Sequence, residues 1–458
     1  MINLVIDKNL KDKRKIIYTF YYLVENIFDE VQVSYDFIED AINIYYGANI
    51  QARNGIIIPV LKESEPKRLY LHNYEEDTFA SFEEKCEIPF IKKDNVIFFN
   101  YDIFLSSIYF ISCEEEYVCM KRDRINRFLA EFSEKKDSIK TPFFDINSAI
   151  LYKALIKLNP NLTLKRNGFE IYLTHDIDNA DSRNRYVFLH NFKNLISKKN
   201  KPFFMKFTTL LQECLFNRYK NILKYMELES SYGAKSEFYF IQGKKHRYGS
   251  RYKLSKVRSE LEKIKESKDF IIGLHTNFFS YDDKDKIREE INAIEKYADV
   301  KILSCRNHYL RFKVPETWDI LKNSGLKFDT TLGYADSNGF RAGTTKAFLP
   351  YNLKNNEVIN IYEIPLSIMD VSIMEKPMTS EEKWNEIKYI IDQVKRNRGT
   401  SSVLWHEDVY NYRNYRDVYE KMLNYIKANE GEFVNYKDLE NRLKKQKEEL
   451  YRLFNSVE

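Results

Sequence analysis

The chain contains 458 residues, of which 73 are basic and 68 acidic, so its net charge is only +5. This length is too great for a single minimal domain, and we expect two domains, at least one of them with a large buried core. So small an excess of positive charge gives no strong electrostatic field, which argues against a protein that binds nucleic acid.

Cysteine usage and hydropathy narrow the class further. The five cysteines are odd in number and include no Cys-x-x-Cys pair, which argues against a disulfide or structural zinc framework. The N-terminus is charged too early for a signal peptide. The most apolar window, residues 96–112, is interrupted by Asn100 and Asp102 and is too short to span a bilayer. We therefore expect a soluble, cytoplasmic protein without a transmembrane segment.

Residues 1–148 alternate strand-like and helix-like segments, which predicts a small N-terminal α/β domain. Residues 2–6 predict a strand, residues 11–27 a helix, and the apolar run that begins at Asp102 a second helix ending in a charged turn. This region has no cluster of histidines, cysteines or paired acids, and we expect its only histidine, His72, on the surface. A packing or specificity role is the expectation for this domain.

Residues 149–436 repeat a strand, helix, strand pattern behind a polar, proline-bearing segment, residues 133–147, that we interpret as a linker. The predicted strands are residues 169–173, 235–241, 270–275, 300–305, 326–329 and 401–405. The predicted helices include residues 185–197, residues 203–228, a helix opened by Asp282 and Asp283, a helix that begins at Pro315, and a helix capped by Thr379. This alternation predicts an α/β fold with parallel strands and helical crossovers, closed as a barrel or left open.

Polar residues of reactive types follow the ends of these strands. They are Asp176 and Asp178, then His275, then Arg306 and His308, then Asp329, and finally His406. Because the carboxyl ends of parallel strands meet at one face of an α/β barrel, we expect these side chains to lie close together. Each histidine alone favours a structural role, but a carboxylate and two imidazoles on one face form the set that a catalytic zinc-type site requires.

This ordered set resembles the polysaccharide deacetylase family (NodB homology, carbohydrate esterase family 4), over about residues 165–435. The resemblance implies a distorted (β/α) barrel, and the segment before it resembles an uncharacterised domain often fused to such deacetylases. It also implies roles: Asp176 as catalytic base, Asp178 and His275 as metal ligands, Arg306 as the residue that orients the base, and His406 as general acid.

Two departures from the family pattern concern the metal. The acids are split as Asp-Ile-Asp, and position 279, where the pattern has a second histidine, is Phe279. His308 stands where the third motif usually has proline. We therefore hypothesise that Asp178, His275 and His308 bind one divalent metal, with zinc as the expected ion.

Four residues are candidates for substrate binding. Tyr309 and Trp405 are expected either to stack on a sugar ring or to belong to the core. Arg341 is expected to meet an anionic group or to form a surface salt bridge. Asp329 is the loosest match to the family motifs. We expect His175 to be structural because it points away from the two acids, and we assign no role to His190 or His246.

The function that the resemblance implies is metal-dependent removal of an N-acetyl group from an amino sugar. The expected partner is a carbohydrate bearing N-acetyl groups, in a polysaccharide of capsule, cell wall or exopolysaccharide, or in its precursor. Two alternatives stay open: a metal-dependent amidohydrolase acting on a small non-sugar C–N substrate, and a degenerate carbohydrate-binding protein without activity. The charged C-terminal helix, residues 437–458, is expected to be solvated, with weak contact to an anionic membrane surface as the second interpretation.

Overall fold

The computed structural model describes residues 1–25, 30–47, 54–60, 90–162, 168–180 and 220–457. The predicted helix at residues 185–197, most of the one at 203–228, and the histidines His72 and His190 lie outside these ranges. Among the described residues, no helix is both long enough and apolar enough to cross a bilayer.

The N-terminal region forms a sheet of six described strands. They are β1 (Ile2–Ile6), β2 (Val31–Ser34), β3 (Ile42–Tyr46), β4 (Gly55–Ile58), β5 (Phe90–Lys93) and β6 (Val96–Phe99). Their order is β2-β1-β3-β4-β6-β5, and every neighbouring pair is parallel except β5 with β6. The predicted small α/β region is therefore present.

The helices of this region are α1 (Lys13–Val24), α2 (Ile103–Ile111), α3 (Glu115–Val118) and α4 (Phe143–Leu158). Helix α1 is buried on all sides from Ile16 to Val24, as expected for a helix that is apolar all round. Its Tyr18 hydroxyl donates to the carbonyl of Leu349, 2.8 Å away, so α1 also packs against the C-terminal region. Asp102 caps α2 by accepting from the backbone N–H groups of its first turn.

Nine described strands form the second sheet. They are β7 (Glu170–Ile177), β8 (Ser236–Ile241), β9 (Phe270–Thr276), β10 (Ser304–Asn307), β11 (Phe328–Asp329), β14 (Tyr362–Glu363), β15 (Leu366–Met369), β16 (Thr400–Leu404) and β17 (Glu432–Phe433), while β12 (Tyr351–Asn352) and β13 (Glu357–Val358) pair separately. The order is β14-β11-β10-β9-β8-β7-β16-β15, with β17 beside β7, and all pairs are parallel.

The order of this sheet requires it to curl. Its two edge strands, β14 and β15, are separated in sequence only by Ile364 and Pro365. A flat sheet would hold these strands on opposite sides, so the sheet must bend round until its edges approach. This is a curled parallel sheet of the distorted (β/α) barrel type, as predicted.

The helices that follow the strands lie on the outside of this sheet. They are α5 (Ile222–Tyr232), α6 (Arg258–Glu266), α7 (Lys284–Ala298), α8 (Glu316–Asn323), α9 (Asp370–Met374), α10 (Ser380–Arg396), α11 (Arg413–Ala428) and α12 (Tyr436–Asn455). The predicted caps are confirmed: Asp283 accepts from two backbone N–H groups of α7, and Thr379 forms a capping box with Glu382 of α10.

Two predicted strands are shorter than expected. The strand predicted at residues 300–305 begins only at Ser304, because the backbone N–H of Ile302 donates to the Glu295 carboxylate, 3.0 Å away, instead of pairing with a neighbouring strand. The strand predicted at 326–329 is reduced to β11.

The linker prediction is wrong in its C-terminal part. Residues 143–147 begin α4, which crosses the predicted boundary between residues 148 and 149. The preceding segment is packed rather than free, since the carbonyl of Ile139 accepts from the N–H of Phe340 at 2.7 Å. The division at this boundary therefore stays a prediction, and no helix or strand ends there.

The C-terminal helix α12 is not a solvated appendage. Six of its side chains are buried: Tyr436, Leu439, Leu443, Leu450, Leu453 and Phe454. Arg442 forms a two-pronged contact with Glu170 of β7, at 2.7 Å for each nitrogen, and Arg452 donates to the carbonyl of Val31 in the N-terminal sheet. The apolar face is thus buried within the protein, and only the charged side remains for any membrane contact.

Candidate functional site

The reactive residues of the sequence meet at the carboxyl ends of neighbouring strands. Asp176 lies in β7, His275 in β9 and Arg306 in β10, and the last two are paired across the sheet. His406 follows β16, which pairs with β7. All four side chains are delivered to one face because parallel strands end on the same side.

Asp178, His275 and His308 form a group that is able to hold a metal ion. The Nε2 atoms of His275 and His308 lie 3.3 Å and 3.4 Å from Asp178 Oδ1, and one ligand atom from each residue lies within 4.8 Å of the others. Bond lengths of about 2.0–2.1 Å to a tetrahedral zinc ion separate neighbouring ligand atoms by about 3.3 Å. The two contacts with Asp178 therefore match the edges of such a site.

The hydrogen bonding of these side chains also fits a cation. Asp178 Oδ1 and both ring nitrogens of His308 are buried without a hydrogen-bond partner among the described residues. In His275, Nδ1 lies 3.0 Å from the carbonyl oxygen of Arg306, which only a ring N–H can approach as donor. In the neutral ring this leaves the Nε2 lone pair facing Asp178, the arrangement seen in metal-bound histidines.

The three side chains of this group shift one another's pKa values. Burial opposes ionisation of Asp178, but the adjacent His308 and His275 outweigh it and hold the pKa of that carboxyl well below its usual range. Burial opposes the charge of His275 as well, yet Asp176 and Asp178 raise its pKa. Burial lowers the pKa of His308, which favours the neutral, ligating form of this ring.

Asp176 lies beside a buried guanidinium. Arg306 is completely buried, and its Nη1 lies 3.8 Å from Asp176 Oδ1, while its Nε donates to the carbonyl of Thr330 at 3.1 Å. The remaining guanidinium nitrogens have no hydrogen-bond partner among the described residues. The fixed positive charge therefore lies close to the Asp176 carboxylate.

His406 is held by an aspartate that sequence reasoning missed. Asp370 lies 2.7 Å from His406 Nδ1 through one oxygen and accepts from the His406 backbone N–H through the other, at 2.8 Å. Burial works against the charge of this ring, but Asp370 outweighs it, with help from Asp176 and Asp178, and raises the pKa of His406 to about 10. Asp370 follows the apolar strand β15, so the strand-end pattern contained the signal that identifies it.

Glu407 is a second residue to which sequence reasoning gave no role. Its side chain is fully buried, and neither carboxyl oxygen has a partner among the described residues. Burial, together with the negative charges of Asp408 and Asp178, raises the pKa of Glu407 well above its usual value. The pKa of the adjacent Asp408 is also raised, to about 6, chiefly by burial.

Tyr309 is half-buried beside His308. Its ring stacks on that of His308 with the centroids 4.3 Å apart, and its backbone has a φ of +61°. Arg251, also missed from the sequence, donates to the Tyr309 hydroxyl over 3.5 Å and to Asn179 Oδ1 over 3.2 Å. Sequence reasoning overlooked Arg251 because it belongs to a long loop after β8, away from any strand end.

The other three substrate-binding candidates, Trp405, Arg341 and Asp329, are buried. Trp405 is fully buried among Tyr415 and Tyr419, so it belongs to the core. Arg341 is buried and paired with Glu116, with nitrogen to oxygen distances of 2.7 and 2.8 Å, so it forms an internal ion pair.

Asp329 has no exposed surface either. It contacts Thr331 and Cys305, and burial together with the charge of Asp329 raises the pKa of the neighbouring Glu363. A residue enclosed in this way does not reach a substrate.

The other two histidines within the described ranges, His175 and His246, do not belong to the group that is able to hold a metal ion. His175 is fully buried, with Nδ1 2.6 Å from the Trp405 carbonyl oxygen and Nε2 2.7 Å from Glu229, which is a structural role. His246 lies in the loop after β8, where its ring contacts Phe279 at 5.2 Å between centroids. Phe279 therefore faces this loop.

Comparison with known proteins gives one match to a family. Residues 5–160 match a family of unknown function, DUF7033. No curated protein matches the chain.

Solved structures of similar fold cover about three fifths of the chain. One is a candidate polysaccharide deacetylase from Mycobacterium smegmatis, with 13% identity, a TM-score of 0.43, and coverage of 61% of this chain and 91% of the other. The PuuE allantoinase has 9% identity, a TM-score of 0.41, and coverage of 59% and 89%. A mutant of a CE4 family pseudoenzyme with restored activity has 11% identity, a TM-score of 0.31, and coverage of 60% and 68%.

Proposed function

We propose that this protein is a metal-dependent hydrolase that removes an N-acetyl group from an amino sugar. The observation that carries the proposal is the group formed by Asp178, His275 and His308, whose unpartnered ligand atoms lie beside Asp176 and Arg306. The proposed substrate is an N-acetylated polysaccharide of capsule, cell wall or exopolysaccharide, or its cytoplasmic precursor.

In this proposal Asp178, His275 and His308 hold one divalent ion, with zinc favoured by two imidazoles and one carboxylate. Such an ion polarises an acetyl carbonyl and lowers the pKa of a bound water. His275 is oriented for this role by its Nδ1–H bond to the Arg306 carbonyl. His308 is held in place by stacking against Tyr309.

Asp176 is the proposed general base. It takes the proton of the attacking water, and the Arg306 guanidinium lies 3.8 Å from its carboxylate. Arg306 is itself fixed by its bond to Thr330, so its charge stays beside Asp176 during turnover.

His406 is the proposed general acid. Its raised pKa, about 10, keeps the ring protonated at neutral pH, so a proton is available for the leaving amine. Asp370 binds the Nδ1–H, which leaves the Nε2–H as the group that can be given to the amine.

The experiment is elemental analysis of the purified full-length chain after dialysis against zinc and then against metal-free buffer. Wild type is compared with Asp178→Asn, His308→Ala and the matched control His246→Ala, which removes a histidine outside the group. We expect about one metal ion per chain in wild type and control, and a loss of most of it in the two ligand variants. Release of acetate from N-acetylated amino sugars then tests the reaction.

Two results contradict parts of the proposal. Full metal occupancy in His308→Ala removes His308 from the ligand set. A wild-type chain that takes up no metal even after reconstitution contradicts the metal-dependent reaction and favours a degenerate, carbohydrate-binding protein.

A further inference from the structure

The loop between β8 and α6 is strongly basic. Residues 242–257 contain six lysines and arginines and no aspartate or glutamate. Lys244, Lys245 and Arg247 are exposed, and Arg251 is half-buried. This local concentration of positive charge contrasts with the nearly neutral balance of the whole chain.

This basic loop, residues 242–257, is held in a defined position. Asn277, which follows β9, donates from Nδ2 to the carbonyls of Gln242 and Lys244 at 2.7 and 3.0 Å. The backbone N–H of Asn277 in turn donates to the buried Glu290. Gly249 packs so closely that a Cβ there would lie 2.4 Å from the Lys244 carbonyl oxygen. The loop is thus fastened to the strand that carries His275.

Arg251 connects this basic loop to residues next to the proposed metal ligands. Its Nη1 donates to Asn179, which adjoins Asp178, and its Nη2 donates to Tyr309, which adjoins His308. Its Nε donates to the Arg247 carbonyl at 3.0 Å. The guanidinium therefore lies beside two of the three proposed metal ligands, with its orientation fixed by three bonds to neutral acceptors.

Five of the six cations of this loop, Lys244, Lys245, Arg247, Arg251 and Lys253, differ from neighbouring cations in their ion pairing. Just outside the loop, Lys235 pairs with Asp438, Arg258 with Glu262 and Lys265 with Asp299. Among the described residues, no carboxylate forms an ion pair with Lys244, Lys245, Arg247, Arg251 or Lys253. Two of the exposed cations instead lie over aromatic rings: Lys244 over Phe279 and Arg247 over Tyr248.

We infer that the substrate carries a negatively charged group, a phosphate or a carboxylate, close to the acetamido group, and that Arg251 recognises it. This inference rests on the proposed function, because it names the substrate class of that same site. A guanidinium is suited to oxyanions through its planar fork of N–H donors. Two of the five N–H donors of Arg251 are not used by its three bonds within the protein.

Arg251 also faces negative charges of the protein itself, since burial raises the pKa of both Glu407 and Asp408 and the charge of Arg251 acts against that rise. A purely positioning role would thus have Arg251 balance these acids and hold Tyr309. Such a role affects every substrate equally, whereas anion recognition affects only charged ones. A comparison of charged and neutral substrates therefore distinguishes the positioning role of Arg251 from anion recognition.

The experiment compares three probes: N-acetylglucosamine 1-phosphate, N-acetylmuramic acid and neutral N-acetylglucosamine. Acetate release is measured with the zinc-loaded full chain, as wild type, Arg251→Gln, Arg251→Lys and the control Arg258→Gln, which removes an exposed arginine of α6. We expect kcat/KM for a charged probe to exceed that for the neutral one about 10-fold or more. We expect Arg251→Gln to lower kcat/KM for a charged probe about 10- to 100-fold, mainly through KM. We expect Arg258→Gln to leave kcat/KM unchanged for all three probes.

Equal kcat/KM for all three probes, or an equal loss for all three in Arg251→Gln, overturns the inference. If no probe is deacetylated, the proposed function fails, and calorimetric binding of the same probes, with and without metal, decides the inference separately. Preference for a charged probe that persists without metal and disappears in Arg251→Gln supports it. The inference is overturned if the wild type shows no preference for a charged probe, or if removal of the metal is enough to abolish that preference.

Discussion

The pairing of His406 with Asp370 can be tested by converting the carboxylate of Asp370 to an amide. Replacing Asp370 by Asn keeps the shape of the side chain but removes the charge 2.7 Å from His406 Nδ1. Burial of the ring remains and opposes its protonation. We therefore expect the pKa of His406 to fall from about 10 to 6.5 or below.

The size of the effect follows from the pKa. A value of about 10 in place of 6.5 corresponds to about 5 kcal/mol of favourable interaction with the protonated ring. Below pH 6.5 both folded and unfolded chains carry the proton, so this stabilisation is fully present. Between pH 6.5 and about 10 only the folded chain keeps the proton, and the free energy of unfolding falls as the pH rises. In Asp370→Asn this pH dependence should disappear.

The assay is an NMR titration of histidine ring resonances, assigned with His406→Gln and recorded with and without zinc. The matched control is Asp417→Asn, whose carboxylate is exposed and pairs with Arg413. We also expect turnover of Asp370→Asn at pH 8 to fall by about 100-fold, since a neutral His406 no longer supplies a proton. If His406 titrates at the same pH in the variant and in wild type, the reasoning about this pair is refuted.

Two further predictions concern the base and the buried ion pair. Asp176→Asn should lower the turnover of N-acetylated substrate by about 100- to 10,000-fold, with equilibrium binding changed little, because the variant cannot accept the proton of the attacking water. Acetate release beside calorimetric binding measures this, and unchanged turnover would remove Asp176 from the role of base. Glu116→Gln should lower the free energy of unfolding by about 3–5 kcal/mol in urea, because it leaves Arg341 buried without a counter-charge. The double variant Glu116→Gln with Arg341→Met should recover part of the loss, and an unchanged midpoint for Glu116→Gln would contradict the role of the pair.

Much of the fold could be predicted because parallel strands buried on both sides are nearly continuous apolar runs. Strands β7, β8, β9 and β16 were found in this way. Strand β14 contains only two residues and leaves no periodic signal, and the strand predicted at residues 326–329 is reduced to the two residues of β11. The position of α12 was also hidden, because its interleaved charges concealed an apolar stripe that packs against α1 and the second sheet.

The clustering of the site was predictable for a topological reason, whereas the exposure of each side chain was not. Residues that follow parallel strands share one face, so Asp176, His275 and His406 could be grouped from sequence alone. Arg341 was misjudged because its partner Glu116 lies 225 residues away in the chain. No local sequence pattern indicates an ion-pair partner at this distance in the chain.

The substitution at position 279 and the histidine at position 308 are connected through the structure. Phe279 turns toward the basic loop, where it contacts the ring of His246 and lies 4.6 Å from the Lys244 ammonium. The proposed ligand instead comes from His308, where the one-turn helix after β10 directs a ring to Asp178. In the proposed metal site, His308 therefore supplies the third ligand, while Phe279 packs against the basic loop.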